Sequence, residues 1–277
     1  MVNWKKLFAD LFIGLVLAFM YLPLLFVIVY SFSGNSRFVF DSFTFDSYVT
    51  LFTNPPAALI NALKNTLIIA AISSVISTFM GTCAAIGIFH MSKKARRVVE
   101  GVNQLPVINS EIVMAVSLLL FFNAIRLPEG YVRLIIAHTA FCTPYVVLSV
   151  MPKLVQMDPN VYEAALDLGA TPGKALFSVM IPIISPGIVS GFVMAFTLSM
   201  DDFIITQINK GATTSIDTLS TYIYGDAIKG GLQPFWLALF SVIFVVVLGV
   251  ILLVNLKKKN DAARIAKVNK AIRKSQD

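Results

Sequence analysis

The stretch Glu163–Pro182, EAALDLGATPGKALFSVMIP, decides how this chain is read. It lies between two apolar spans, where a plain polar turn would suffice, yet it carries the signals of two helices and a break. Just upstream, Asp158 and Pro159 form a helix start: an N-cap oxygen, then a proline whose missing N–H costs nothing at the first helical position. A helix is predicted through Val161, Tyr162, Glu163, Ala164, Ala165 and Leu166, with Gly169 as a left-handed terminating residue. Thr171 and Pro172 repeat the start signal. A second short helix is predicted to carry Ala175, Leu176, Phe177 and Val179 to Pro182. Small alanines beside apolar side chains let such a helix sit in a shallow groove of a partner, and the glycine permits the bend that presents it. The alternative reading is an amphipathic loop lying on lipid headgroups.

The rest of the chain is mostly membrane. Of 277 residues, 57% are hydrophobic and 13% charged, against about 25% charged in soluble domains. The mean hydropathy is +0.80. Six apolar spans are predicted, at about 8–32, 62–90, 103–125, 132–152, 184–206 and 234–256. Each exceeds the roughly 20 residues that cross a bilayer core. The first is too long for a signal peptide and is read as a retained anchor. This divides the chain into an anchor and first outer loop (1–61), a core (62–256) containing the polar loop 153–183, and a basic tail (257–277).

The net charge of +7 is not a nucleic-acid footprint, because the basic residues flank apolar spans. With the N-terminus inside, inner segments hold sixteen of the 22 Lys and Arg, among them Lys5, Lys6, Lys93, Lys94, Arg96, Arg97, Lys153, Lys174 and the tail. Outer segments hold only Arg37, Lys64, Arg126, Arg133, Lys210 and Lys229. The bias predicts N-in and C-in topology and puts the 153–183 loop in the cytoplasm. The tail is read as a surface segment drawn to anionic lipid. Outer-loop aromatics, Phe38, Phe40, Phe43, Phe45, Tyr48 and Phe52, read as an interfacial belt or as a contact for an outer partner. Cys83 and Cys142 fit no metal site. His90 is predicted at a helix end and His138 inside the bundle.

Gly169–Ala175 reads GATPGKA, close to a phosphate loop but one residue short and lacking the hydroxyl that would hold Mg²⁺. No preceding strand or cofactor motif accompanies it. Energy for any pumping must therefore come from another polypeptide. Three carboxylates, Glu111, Asp201 and Asp202, fall within apolar spans, where each costs about 2.5–3.5 kcal/mol at the bilayer centre. Counting along the third span puts Glu111 near mid-membrane, and the same count from residue 184 puts the aspartates in the outer half. They are candidates for lining a cation path. The alternative is structural: pairing with Lys210 or Arg133, or capping a break in the fifth helix. Asp201 is favoured for cargo contact and Asp202 for structure. Pro23, Pro106, Pro144 and Pro186 allow kinks.

Glu163-Ala164-Ala165, Gly169, and Val179, Ile181 and Pro182 resemble the E-A-A-x3-G-x9-I-x-L-P loop of ABC importer permeases. Phe196–Phe203, FTLSMDDF, and Ser110–Leu118, SEIVMAVSL, are similar to the fifth- and third-helix segments of polyamine importer permeases. The chain thus resembles the permeases of spermidine/putrescine ABC importers over about residues 60–256. The resemblance implies an all-α transmembrane, six-helix MetI-like fold in a bacterial inner membrane. It implies a non-enzymatic transport subunit that works by alternating access and carries no cofactor. It implies a second, PotB-like permease, a cytoplasmic ATP-binding subunit dimer, an extracytoplasmic substrate-binding protein and a polyamine cargo. The coupling residues would be Glu163, Ala164, Ala165, Gly169 and Pro182 within 158–182. Rival readings keep the machine with another cation, such as thiamine or ferric iron, or make the chain an ion-coupled secondary transporter, for which no internal repeat is seen. A membrane scaffold is the third.

Overall fold

The computed structural model describes residues 4–34, 42–211, 214, 216–231 and 233–249. The predicted tail at 257–277, Phe38 and Phe40 lie outside them. The chain divides into two compact units, Pro56–Tyr224 and Met1–Pro55 with Gly225–Asp277. The helices are α1 (Trp4–Tyr30), α2 (Asp46–Thr53), α3 (Ala57–Phe89), α4 (Lys93–Ile108), α5 (Glu111–Ala124), α6 (Tyr131–Gln156) and α7 (Pro159–Asp167). They continue with α8 (Pro172–Asp201), α9 (Ile204–Asn209), α10 (Leu219–Gly230) and α11 (Pro234–Gly249).

The unit 56–224 is built on α3, α6 and α8. Lipid tails are as apolar as leucine, so helices in a membrane associate through close packing of small residues rather than through exclusion of water. On α3 the buried positions Ser73, Ser77, Gly81 and Ala85 recur every four residues. On α8, Gly187, Gly191, Ala195 and Ser199 do the same. The α6 helix lies between these stripes. Its fully buried Val146 fills the space where Gly81 and Gly191 have no side chain: a Cβ on Gly81 would stand 2.6 Å from the Val146 Cβ, and one on Gly191 would stand 3.1 Å from Val146 Cγ1. Two further layers follow toward residue 131. Ser77 donates to Thr139 O at 3.2 Å and Cys142 contacts Ala195 O at 3.5 Å. Beyond them, Ser73, His138 and Ser199 meet.

Two predicted spans change in the structure. The third, 103–125, is not one helix: α4 and α5 meet at a bend of 104°. Asn109 and Ser110 are extended there, and the Ser110 hydroxyl accepts the Val113 N–H at 3.4 Å, starting a new helix. Counting along a straight helix therefore fails for Glu111, which opens α5. The fifth, 184–206, begins much earlier. The second short helix predicted in the 153–183 loop is the start of α8, not a separate element. Pro182 cannot donate to a carbonyl, and the helix passes it through a π-turn at Leu176–Met180, where the Ile181 N–H bonds to Leu176 O. At its other end α8 stops at Asp201. The sixth span is described as α11, and residues 250–256 lie outside the described residues.

In the other unit α1 is apolar from Leu11 to Tyr30, with Pro23 inside it. Phe32 stacks on Phe43 at 5.1 Å and meets Phe45 and Tyr48 at 5.5 and 5.0 Å. The Tyr48 hydroxyl bonds to Ser31 Oγ at 2.6 Å. These aromatics stack on one another at a turn, and Phe43, Phe45 and Phe52 are all exposed.

The packing around Val146 makes a sharp stability prediction. Gly81→Ala should destabilise the detergent-purified chain by about 1–3 kcal/mol, the usual range for overpacking. Gly87→Ala, on the same helix with nothing within 4 Å, should be neutral or stabilising by up to about 1 kcal/mol. Thermal unfolding of the two variants side by side checks this.

Candidate functional site

Two places in the unit 56–224 collect the residues singled out by sequence: a small acidic pocket and the exposed helix α7.

The pocket exists because two helices break. The carboxylate of Asp202, buried and extended (φ −62, ψ 132), terminates α8. Its Oδ1 accepts the Ile205 N–H at 3.0 Å and its Oδ2 accepts the Thr206 N–H at 2.9 Å. These are donors of the first turn of α9, which otherwise have no intrahelical partner. The Thr206 hydroxyl adds a third bond to Oδ2 at 2.8 Å. Charge-assisted bonds of this kind are worth about 1.5–3 kcal/mol each, enough together to offset the cost of an acid in a membrane. Lys210 pairs with Asp217 at 2.6 Å. Arg133 reaches Asn123 Oδ1 at 3.1 Å and lies 5.4 Å over the Phe122 ring. Neither cation serves the membrane acids.

Asp201, the residue before the break, is exposed and borders a cavity of about 170 Å³. Glu111, exposed in the first turn of α5, borders the same cavity. Phe141, Thr197, Leu198, Asp202 and Phe203 complete it. Phe203 packs on Tyr224 at 4.7 Å and Phe141 on Tyr145 at 5.5 Å, so both rings are held from behind. The short α9 ties the two acid-bearing helix ends to one support: Asn209 donates to Ala115 O of α5 at 3.1 Å, and Asp202 joins α9 to α8. Two exposed carboxylates and two aromatic rings border this cavity, and both kinds of group attract an ammonium. The cavity is smaller than the about 300–1,000 Å³ of a pocket for a whole drug-sized ligand.

The second place is α7. Asp158 accepts the Asn160 N–H at 3.0 Å at its start. At its end Gly169 has φ +86, and the two closing bonds, Gly169 N–H to Leu166 O at 2.9 Å and Ala170 N–H to Ala165 O at 3.0 Å, make a Schellman cap. Thr171 then accepts the Lys174 N–H at 3.4 Å to open α8. The stretch that mimics a phosphate loop is thus a helix stop followed by a helix start. Tyr162 and Leu166 turn inward over a hollow of about 290 Å³ floored by Phe89, His90, Met157 and Met180. His90 ends α3, as its position implied, and meets Tyr162 edge-on at 6.2 Å. Glu163 and Ala164 are exposed, with Glu163 also lining this hollow, and Leu168 and Phe177 are 88% and 69% exposed.

Sequence reasoning found the three acids and the α7 residues. It did not connect His138 with Asp202, nor find Phe141 and Phe203. Thr206, four residues after Asp202, was the available signal for a cap. His138, 64 positions away, offered none.

Residues 74–261 match the family described as binding-protein-dependent transport system inner membrane component. The chain is similar to the spermidine/putrescine transport system permease protein PotC of Haemophilus influenzae, with 30% identity over 91% of this chain and 97% of that protein. It is similar to the PotC of Escherichia coli K12, with 31% identity over 84% and 87%. The putrescine transport system permease protein PotI of Escherichia coli K12 is 33% identical over 71% and 73%. A bacterial ABC transporter that imports the acidic polysaccharide alginate shares the fold at TM-score 0.68 and 23% identity, over 90% of this chain and 94% of that one. The family match spans most of the chain, and the MetI-like helix arrangement agrees with it: the chain belongs to the binding-protein-dependent transport system inner membrane components.

Proposed function

We propose that this chain is a permease subunit of an ATP-driven polyamine importer and that its acidic pocket contacts the cargo. The observation that carries the reading is the convergence of Glu111 and Asp201, each at the end of a broken helix, on one cavity walled by Phe141 and Phe203. A polyamine is a chain of ammonium groups joined by methylenes. Carboxylates answer the charges, and aromatic faces answer both charge and methylene. The pocket repels an anion. The similarity to PotC and PotI relatives supports the same cargo class. The pocket's small size supports a path completed by a second permease subunit.

Energy enters elsewhere. Leu168 and Phe177 present apolar side chains at the outer face of the 153–183 loop, as a helix docking into a groove of an ATP-binding subunit would. The tight caps on α7 and the seat of its Tyr162 on His90 make it move as one piece with the end of α3. Through the π-turn, α8 runs from that loop to Asp201 without interruption. A push on the loop therefore reaches the pocket along a single helix. The reading includes an extracytoplasmic binding protein that delivers cargo, and a chain with no catalysis of its own.

Asp201→Asn should lower spermidine uptake about ten- to hundredfold, the worth of one bond to a charged group, in cells that supply the other subunits. Uptake of labelled spermidine at wild-type level would remove the acidic-pocket reading. Leu168→Asp should leave thermal stability unchanged while the ATP-binding subunit no longer co-purifies. Retention of that subunit at full stoichiometry would sink the docking assignment.

A further inference from the structure

His138 is fully buried on α6, and no part of it reaches the pocket. It nonetheless sits at the centre of a hydrogen-bond network behind it. Its Nδ1 is 2.7 Å from Ser199 Oγ on α8, and its Nε2 is 2.9 Å from Thr206 Oγ1 on α9 and 3.5 Å from Asp202 Oδ2. Ser199 in turn contacts Ser73 Oγ on α3 at 3.0 Å. Three helices meet on one imidazole, and α3 joins them through Ser199.

The proton count fixes the roles. The Thr206 hydroxyl spends its proton on Asp202 Oδ2, so it can only accept from His138, and Nε2 carries a hydrogen. Asp202 is surrounded by donors on both oxygens: Ile205 N–H on Oδ1, and Thr206 N–H, Thr206 O–H and the approaching Nε2–H on Oδ2. Its backbone carbonyl accepts the Ser220 hydroxyl at 2.8 Å. The geometry therefore orders the parts: His138 orients Thr206, Thr206 and its backbone hold Asp202, and Asp202 fixes the turn at which α8 ends and α9 begins. Asp201 and Phe203 are the two residues on either side of that turn, and both line the pocket.

We propose that His138 is a positioning residue for the acidic pocket, acting through Thr206 and Asp202 to hold the α8–α9 break in the one conformation that aims Asp201 and Phe203 at it. The functional side of this inference rests on the cargo reading above, while the structural side stands without it. An inert core histidine would be replaceable by any side chain that fills its volume. A positioning histidine is replaceable only by one that keeps the bond to Thr206. Asp202→Asn is also not conservative here, since whichever way the amide turns, its NH₂ faces a donor.

Hydrogen exchange on the detergent-purified full-length chain tests this. Thr206→Val keeps the shape and removes the hydroxyl. It and His138→Ala should each speed exchange of the amides in 203–209 about tenfold or more, by local opening, while peptides covering 141–150 of α6 stay protected. Thr206→Ser, which keeps the hydroxyl, should retain wild-type protection. The Thr206→Val/His138→Ala pair should open 203–209 no further than the worse single variant, because both cut the same chain of bonds. In uptake assays the same two single variants should raise the half-saturating cargo concentration more than they lower the maximal rate. Wild-type exchange at 203–209 in both single variants overturns the proposal, and so does equal loss of protection across α6. Asp201→Asn makes no bond to the network and is the separate arm: if it alone leaves uptake intact, the cargo reading fails and the exchange result still decides the role of His138.

Discussion

Val146 stands between two glycines, and the unit 56–224 depends on that fact. Gly81 of α3 and Gly191 of α8 leave room for one isopropyl group of α6: a Cβ on Gly81 would clash with it and one on Gly191 would crowd it. In lipid, where burying apolar surface gains little, this closeness is what makes three helices a bundle. The same four-residue spacing carries the contact outward through Ser77, Cys142 and Ala195 to a layer of Ser73, His138 and Ser199. Two turns of helix separate the glycine layer from the polar layer, about 12 Å at 1.5 Å per residue. Close packing at one level brings polar side chains within bonding distance at the other.

The polar layer lets helices stop inside an apolar environment. A helix end exposes N–H and C=O groups that lipid cannot satisfy. The α8–α9 break is tolerated because Asp202 accepts the free donors of α9 and because Ser220 answers the Asp202 carbonyl. The α4–α5 break uses Ser110 in the same way. Each break turns a helix end toward a shared cavity, and each brings one carboxylate with it. The acids are thus divided by environment: Asp202 is consumed by structure, whereas Asp201 and Glu111 are left exposed to whatever enters.

The local features were legible in the sequence, and the long-range ones were not. The caps of α7 could be read from Asp158-Pro159, Gly169 and Thr171-Pro172, because capping is decided within a few residues. The division between Asp201 and Asp202 followed from helical geometry, since neighbours point about 100° apart. The third span misled because its composition stays apolar across Asn109 and Ser110, and hydropathy does not register a bend. The 153–183 loop misled in the opposite sense: Pro182 reads as a stop, but a π-turn absorbs it and the helix continues. The junction of His138 with Asp202, and of Glu111 with Asp201, joins positions far apart in the chain. Only the packing of α5, α6, α8 and α9 brings them together.

The account makes the acidic cavity the place where cargo touches this chain, and occupancy of that cavity can be measured directly. Thr197 lines it, is exposed, and leaves both acids intact when replaced. With Cys83 and Cys142 substituted, a Thr197→Cys chain in the assembled importer can be labelled by a positively charged thiol reagent during turnover. Spermidine should slow that labelling in a saturable manner, and the protection should vanish when Glu111 and Asp201 are both made amides. Labelling at the same rate with and without spermidine, in an importer that is actively taking it up, would contradict the account.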